Sequence, residues 1–500
     1  MQNRLRLWAW KSLLVAICLG MAVSALGAEI AQEKKTIHII NRLSFGPTPG
    51  EVERVSALGI SAYIDEQLAP DALDESPLLE ERLKSLKTVS LDAVELFRAY
   101  GPKKLKPGET IGKDELMENR ARASIILLEA SLEKMWRATT SRRQLQEVMI
   151  DFWYNYFNVD AAHGLTRLWA GAYMSEAIRP NALGRFEDLL MAVVKHPAML
   201  IYLENWKNTD PASPKAKGPF SVLDDTFARV LLHMYTLGDP SVFKKEDVQT
   251  VARVFTGWTV GAQKSRQDNN GFAFDSERHD TEDKIFLGTP LTAQGIEEGH
   301  EVLHMLVRHD ATARHVCFAL AQRFVNDTPP KELVDRMAHV FSESGGDIAE
   351  VLRTMFTSPE FFDEKAWLSK IKTPFHFVVS AVRATGAPLR EVAPLVGMAQ
   401  LLNMPLFLAP DPDGYPLLRK DWITPGAVNA RIHFGLDLCA MKLPLFRDAD
   451  EEVVRTALTP AALEKTLGGA LTTRTRKAAD TASKEEAGAV VLASPGFMNY

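Results

Sequence analysis

The pentapeptide HEVLH, His300 to His304, is the pattern in this chain most typical of a metal site. Side chains four positions apart share a helix face, so both imidazoles could bind one zinc ion while Glu301 acts as base on a bound water. Asp310 stands where an extended zincin pattern has its third ligand, but Val307 replaces the glycine of that pattern. HEVLH predicts either a zinc hydrolase or, more commonly for such a match, two histidines on a solvated face.

The stretch DFWYNYFNV, Asp151 to Val159, threads polar side chains among aromatic rings. A carboxylate, a phenol and an amide at Asp151, Tyr154 and Asn155 could line a cleft and orient a hydroxylated ligand. Aromatic clusters at helical spacing are more often core than site. The periodicity places Phe152 and Tyr156 on the packed face and predicts the three polar residues on the other face.

Two shorter motifs have a chemical and a plain structural interpretation. His279 and Asp280 precede the run KIFLG, and a carboxylate beside an imidazole could tune a base or bind a metal. A polar loop also supplies such pairs without function. The turn DPDGYP, Asp411 to Pro416, has too few carboxylates for a calcium loop, so it predicts a rigid turn.

Composition narrows the class of protein. The chain has 500 residues, 46% of them hydrophobic and 24% charged, which is ordinary for packed globular domains. Its net charge of -6 disfavours a partner that is bound through phosphates, so no nucleic acid is expected. Cys317 and Cys439 lie in apolar helical runs, where buried free thiols are the plainer expectation and one disulfide is the alternative.

The first 27 residues have the layout of a secretory signal. Arg4, Arg6 and Lys11 precede an apolar run that ends at a small-x-small site, Ala25 to Gly27. That run is shorter than the roughly 20 residues of a membrane span. The sequence therefore predicts export to the periplasm or the exterior, without a stable membrane span.

Helical periodicity dominates the rest of the chain, so the fold class expected is all-α, a large multi-helix fold. The short runs WTV, FAF and KIFL predict a small β-hairpin or three-stranded insertion around residues 258–288. Ser141 and Gln144 are spaced as a capping box for the helix through DFWYNYF, and Thr472 to Glu486 is polar enough to predict a solvated loop. The regions expected are a signal peptide (1–27), an N-terminal helical region (28–115), a central helical region with the candidate site (116–257), the β insertion (258–290), a C-terminal helical region (291–445) and a helical or loop tail (446–500).

Several stretches together resemble one bacterial family, the exported proteins grouped as "domain of unknown function 1800". The similar stretches occur in a consistent order over most of the chain. They are NRLSFGPTPGEVERV from Asn41, DFWYNYFNV, IRPNALGRFEDLLMAVVKHPAMLIYLEN from Ile178 to Asn205, DDTFARVLLHMYTLG from Asp224, EDVQTVARVFTGWTV from Glu246, the run from His279 to Gly288, HDATARHVCFALAQRFV from His309, and PDGYP with DWITPGAVNARIHF up to Phe434.

The resemblance implies a site on neighbouring helices, and this chain departs from the family pattern there. Tyr154, Tyr156 and Asn181 stand where relatives tend to have histidines. The cleft residues it implies are Asp151, Tyr154, Asn155, Tyr156, Asn181, Asp225, Arg229, His279 and Asp280, with Arg42 and Arg431 also kept. Loss of imidazoles makes a metal cluster doubtful and suggests a catalytically degenerate member that binds a small or polymeric extracellular or cell-envelope ligand.

Two alternatives stay open at this point. One is the zinc hydrolase, with His300, His304 and Asp310 as ligands and Glu301 as base. The other is a non-catalytic scaffold that assembles with an envelope protein partner, in which the site-like residues have no chemical role.

Overall fold

The computed structural model describes residues 32–102, 112–261 and 271–500, and the expected signal peptide lies outside this part. The described chain is mainly helical with a minor β component, as predicted. None of its helices is both long enough and apolar enough to cross a membrane.

The helices follow one another along the chain. They are α1 (residues 32–43), α2 (Glu51–Leu58), α3 (Ile60–Leu68), α4 (Pro77–Lys84), α5 (Ala93–Tyr100), α6 (Lys113–Thr140), α7 (Gln144–Tyr156), α8 (Ala170–Ala172), α9 (Phe186–Lys195), α10 (Pro197–Tyr202), α11 (Thr226–Val230), α12 (Lys245–Val254), α13 (Ile296–Val307), α14 (Asp310–Phe324), α15 (Lys331–Ser344), α16 (Ile348–Phe356), α17 (Pro374–Thr385), α18 (Ala393–Leu401), α19 (Arg419–Trp422), α20 (Pro425–Cys439), α21 (Glu451–Ala457), α22 (Pro460–Leu467), α23 (Thr473–Thr481), α24 (Ala487–Leu492) and α25 (Pro495–Met498). Two turns, Tyr173–Ile178 and Leu231–Tyr235, are π-helical.

The β insertion lies between α12 and α13 and consists of two antiparallel pairs. Strand β1 (Trp258–Val260) pairs with β2 (Phe272–Phe274), with Trp258 opposite Phe274. Strand β3 (Ile285–Phe286) pairs with β4 (Thr289–Pro290). The runs WTV, FAF and KIFL are thus strands as predicted, but within the described residues they form two separate hairpins instead of one three-stranded sheet.

Helix α17 is central to the fold, because every residue from Pro374 to Thr385 is buried. Thr373 caps its first turn by accepting a hydrogen bond from the His376 amide, Pro374 fits the first helical position, and Gly386 ends it with φ 60°. The helix packs against α6 and α18. It therefore carries polar side chains such as His376 and Arg383 into the interior.

Two local predictions are wrong. Ser141 and Gln144 do not form a capping box: α7 begins at Gln144, whose side-chain amide donates to the carbonyls of Ala138 and Ser141, 3.2 and 2.9 Å away. The segment from Thr472, predicted as a solvated loop, contains α23, whose hydroxyl cap is Thr472 itself. Helix α23 buries little beyond Thr475 and Ala479, so it has no apolar stripe to reveal it. Cys317 and Cys439 are buried free thiols.

Candidate functional site

Two small cavities adjoin the polar edge of α7, and we call them together the α7 crevice. Each has a volume of about 20 Å³, room for little more than one water. Both are lined by Asp151, Asn155, Met404 and Tyr415. The first is also lined by Phe152, Arg323, Lys370, Ile371, Thr373, Pro416, Leu417 and Tyr500, and the second by Lys134, Tyr154, Asn158, Leu406, Phe407 and Ala409.

The segment of residues 402–418, the cover loop, lies over this crevice and is held by two asparagines of DFWYNYFNV. The Asn155 amide donates to the Tyr415 carbonyl at 2.9 Å and accepts from the Tyr415 amide at 2.7 Å. Asn158 donates to the carbonyls of Ala409 and Asp411 at 2.9 and 2.8 Å. Gly414 has φ 69°, and a Cβ there would lie 2.4 Å from the Asn155 carbonyl oxygen, so DPDGYP needs its glycine at this contact.

Buried cations line the first cavity. The Lys370 side chain is 2% exposed and donates to Asp327 and to the Leu417 carbonyl of the cover loop. Burial lowers the pKa of Lys370 to about 8, against the raising effect of Asp327, and neighbouring Arg323 lowers it further. The Arg323 guanidinium donates to the Tyr500 hydroxyl instead of a carboxylate.

Arg42 lies next to these two cations and has no carboxylate partner among the described residues. It is fully buried; its Nη2 donates to the Ala366 carbonyl and to the Ser369 hydroxyl, whereas its Nε and Nη1 have no hydrogen-bond partner in that part of the chain. Burial lowers the pKa of Arg42 to about 9. The Tyr500 ring is near both guanidinium groups, 4.8 Å from that of Arg42 and 5.5 Å from that of Arg323.

The second cavity has a balanced pair of charges. Lys134 and Asp151 are 2.7 Å apart with only 11% and 15% of their side chains exposed. Tyr154 is buried, not on an open face as the periodicity predicted, and its hydroxyl donates to the Val159 carbonyl at 3.1 Å. Burial raises the pKa of Tyr154 well above its usual value, so this phenol stays protonated. Because Lys134 and Asp151 balance each other in the second cavity, the part of the crevice that can attract an anion is the first cavity, where Arg323 lies.

The structure does not bring the remaining predicted cleft residues to the crevice lining. Tyr156 donates its hydroxyl to the Tyr235 carbonyl at 3.3 Å, and Asn181 donates to the Ala177 carbonyl of its own turn at 2.9 Å. Asp225 and Arg229 form an exposed pair one helical turn apart. These side chains have local structural partners.

His279 and Asp280 belong to a separate buried group of charges, the His279 cluster, with Arg253, Lys284 and Glu298. Asp280 accepts from Arg253 at 2.6 Å, and Lys284 lies 2.9 Å from the Glu298 carboxylate. The His279 Nδ1 is 3.0 Å from the Thr256 carbonyl. Because Arg253 is on α12 and Glu298 on α13, these pairs tie the β insertion to two helices.

The HEVLH residues also have separate partners. The His300 Nδ1 is 2.8 Å from Glu297, and the His304 Nδ1 is 2.9 Å from Glu187. Glu301 accepts hydrogen bonds from the amides of Thr292 and Ala293 at 3.1 and 2.9 Å, so it fixes the turn before α13. Asp310 opens the next helix, α14. Within the described ranges, no three His, Cys, Asp or Glu side chains gather as a metal-binding group, so the geometry gives the zinc hydrolase no support.

Sequence reasoning missed the cations of the crevice. Lys134, Arg323 and Lys370 come from α6, α14 and the segment before α17, so no local spacing connects them. One signal was present: Lys370 stands in LSKIKTP, three residues before the Thr-Pro start of an apolar helix, where buried lysines are unusual.

Comparison with known proteins gives one match. A family model described as "Protein of unknown function (DUF1800)" matches residues 38–499. No curated protein and no solved structure matches the chain.

Proposed function

The chain belongs to this family of unknown function, DUF1800, and from that premise we propose that it is an exported binding protein whose α7 crevice holds an anionic group of an extracellular or cell-envelope ligand. The layout of residues 1–27 supports export. N-terminal sequencing of the secreted protein tests that part, with residue 28 expected as the first residue.

The observation that carries the proposal is the uncompensated charge beside the first cavity. A buried cation normally has a carboxylate partner, because removing it from water costs several kcal/mol. Arg42 and Arg323 have only neutral partners in the described residues, and Arg42 leaves two N–H groups unpaired. A carboxylate, phosphate or sulfate group of a ligand in the first cavity would supply negative charge near both guanidinium groups and an acceptor for Arg323, which lines that cavity.

A neighbouring histidine supports a positive potential in this region. Burial lowers the pKa of His376 well below its usual value, and the surrounding cations Arg323, Lys372 and Arg42 lower it further. The imidazole is therefore neutral at physiological pH. Its Nε2 has no hydrogen-bond partner among the described residues.

The size of the cavities means that the cover loop has to move for a larger ligand. About 20 Å³ admits only a small group, and the Asn155 and Asn158 amides hold the loop with four hydrogen bonds. At a net value of about 1 kcal/mol for each bond, these four bonds contribute about 4 kcal/mol to holding the loop. The binding energy of a charged ligand can offset such a cost.

The aromatic residues favour binding over proton transfer. Burial raises the pKa values of Tyr154 and Tyr156, so neither phenol exchanges protons near neutral pH. The resemblance of the sequence implies that these tyrosines stand where relatives tend to have histidines. A binding protein that has lost catalytic chemistry is consistent with the raised pKa values and with that implication.

Thermal unfolding of the mature protein in phosphate, sulfate, acetate or succinate tests the proposal, with chloride at matched ionic strength as reference. We expect a saturable rise in Tm with at least one of these anions at pH 7, because a ligand that binds the native state stabilises it. The rise should disappear in Lys370→Met and in Arg323→Met, both at the first cavity.

Lys331→Met is the matched control, because Lys331 is a lysine with 82% of its side chain exposed. It should respond to the anion as the wild type does. A wild type that shows no saturable response to any of the four anions would contradict the proposal. So would an equal response in Lys370→Met. An envelope protein that co-purifies with a chain that responds to none of the anions would favour the scaffold alternative.

A further inference from the structure

A second and larger concavity lies where α2, α3 and the C-terminal ends of α6 and α17 meet, and we call it the α2–α17 groove. Its volume is about 750 Å³, within the roughly 300–1,000 Å³ typical of ligand sites. Its lining shares no residue with the α7 crevice. The groove is therefore a candidate for separate binding.

Three arginines line this groove, and they differ in exposure and in the partners of their guanidinium groups. Arg142 is exposed, and its guanidinium has no ion pair or hydrogen bond to any residue of the described chain. Arg54 is paired with Glu66 at 3.0 Å. Arg383 is buried at the base, where it donates to the carbonyls of Gly46 and Thr139 and lies 3.5 Å from Glu51. Arg142 is the arginine that remains open to a ligand.

An orphaned hydroxyl lies among the same charges. Tyr63 is fully buried and its hydroxyl has no hydrogen-bond partner among the described residues, which is an unfavourable arrangement for a polar group. Burial is the main cause that raises the pKa of Tyr63, and the negative charge of Glu51 raises it further. The positive charges of Arg383 and Arg54 lower it. All three of these charged residues line the groove. Tyr63 itself does not line the groove, so its hydroxyl is a buried donor behind the lining and the contact with a ligand rests on Arg142.

The other lining residues limit the chemistry of the ligand. The apolar ones are Pro49, Leu73, Leu78, Val382, Ala387, Pro388 and Leu389, and those with hydroxyls are Thr48, Thr139, Thr140 and Ser141. No aromatic ring is among the lining residues, so nucleobases have no surface on which to stack. Glu51 and Glu66 would repel a polyphosphate but can accept hydrogen bonds from amide N–H groups.

We propose that the α2–α17 groove binds a short acidic peptide segment of a partner protein, with a peptide carboxylate on the Arg142 guanidinium. Arginine pairs with a carboxylate through two parallel N–H donors, which gives this contact both strength and direction. Aliphatic side chains of the peptide lie against the leucines and prolines. Peptide amides meet the carboxylates and hydroxyls of the lining.

Three libraries of fluorescein-labelled pentapeptides test the inference. Each library has Ala, Leu or Val at random at the four outer positions. The central residue is Asp or Glu in the acidic library, Asn or Gln in the neutral library, and Lys or Arg in the basic library. We expect the full mature chain to bind the acidic library at least tenfold more tightly than the other two, measured by fluorescence anisotropy. Arg142→Gln should weaken this binding about tenfold, or about 1.4 kcal/mol.

Arg314→Gln is the matched control, because Arg314 is an exposed arginine on α14, outside the groove. It should bind the acidic library as the wild type does. Tyr63→Phe is a second control and should keep both peptide binding and Tm, because it removes only a buried hydroxyl that lies outside the groove lining and has no partner among the described residues. Equal affinity for the three libraries, or unchanged binding in Arg142→Gln, would overturn the inference. Lys370→Met should keep full peptide binding, which separates this site from the anion site.

Discussion

Two regions of the molecule bury charges in opposite ways. In the His279 cluster each cation has a carboxylate partner: Arg253 pairs with Asp280, and Lys284 pairs with Glu298. Beside the α7 crevice, neither Arg42 nor Arg323 has a carboxylate partner in the described part of the chain. Buried cations that have carboxylate partners hold structural elements together. Buried cations without such partners are electrostatically unfavourable, and a bound anion can offset that unfavourable energy. The same residue types therefore support a structural role in one region and binding in the other.

The largest expected effect is in the compensated cluster. Lys284→Met removes a cation that is 1% exposed and leaves the Glu298 and Asp280 carboxylates short of a partner. Breaking a buried pair in this way costs about 3–5 kcal/mol, which urea unfolding would measure. Lys215→Met, at an exposed pair with Asp275 in the same region, should leave the unfolding midpoint unchanged. Equal midpoints for the two variants would mean that the His279 cluster does not hold the insertion.

The next effect is a pH dependence at the crevice. Burial lowers the pKa of Lys370 from 10.5 to about 8, so between these pH values the unfolded chain binds more protons than the native chain. The contribution of this lysine to stability therefore rises with pH in that window. From pH 8 to pH 10, the free energy of unfolding of the wild type should gain about 2–3 kcal/mol relative to Lys370→Met. Lys331→Met should instead change in parallel with the wild type.

Anion binding should have the opposite pH trend, because it needs the protonated amine. Affinity for the anion found in the thermal assay should fall as the pH passes through about 8, and this fall should be absent in Lys370→Met. An affinity that is constant from pH 7 to pH 9 in the wild type would remove Lys370 from the site.

The fold was easier to predict than the site. Helices depend on the local spacing of apolar residues, whereas the site depends on contacts between segments that are distant in the sequence. Periodic apolar positions predict Ile296–Val307 and Ile348–Phe356 to the residue, since one helix face alone is buried there. Asp151, Tyr154 and Asn155 were predicted as candidates because they share one helix. Arg323 and Lys370 meet them only through tertiary packing, and burial of lysine runs against the usual tendency. The stretch DPDGYP predicts a rigid turn, but only the Asn155 contacts show what it covers.

A smaller effect concerns the cover loop. Asn155→Ala leaves the Tyr415 N–H and carbonyl without their side-chain partner, which should lower the local stability of the loop by about 1–2 kcal/mol. Hydrogen exchange should accelerate in residues 405–418 and stay unchanged in α17. Asn181→Ala is the control, because that amide bonds only within its own turn. Unchanged exchange in Asn155→Ala would mean that other contacts hold the loop.

The smallest expected effect is at Arg42, and it distinguishes the two regions most directly. Arg42→Met replaces a buried guanidinium that has two unpaired N–H groups with an apolar side chain, so the lost desolvation cost offsets the lost hydrogen bonds. The free energy of unfolding in chloride should change by no more than about 1 kcal/mol in either direction. In the stabilising anion the wild type should gain stability that the variant does not, because the anion provides the missing charge partner. A loss as large as that in Lys284→Met, with or without the anion, would show that Arg42 is already compensated and that both regions are structural.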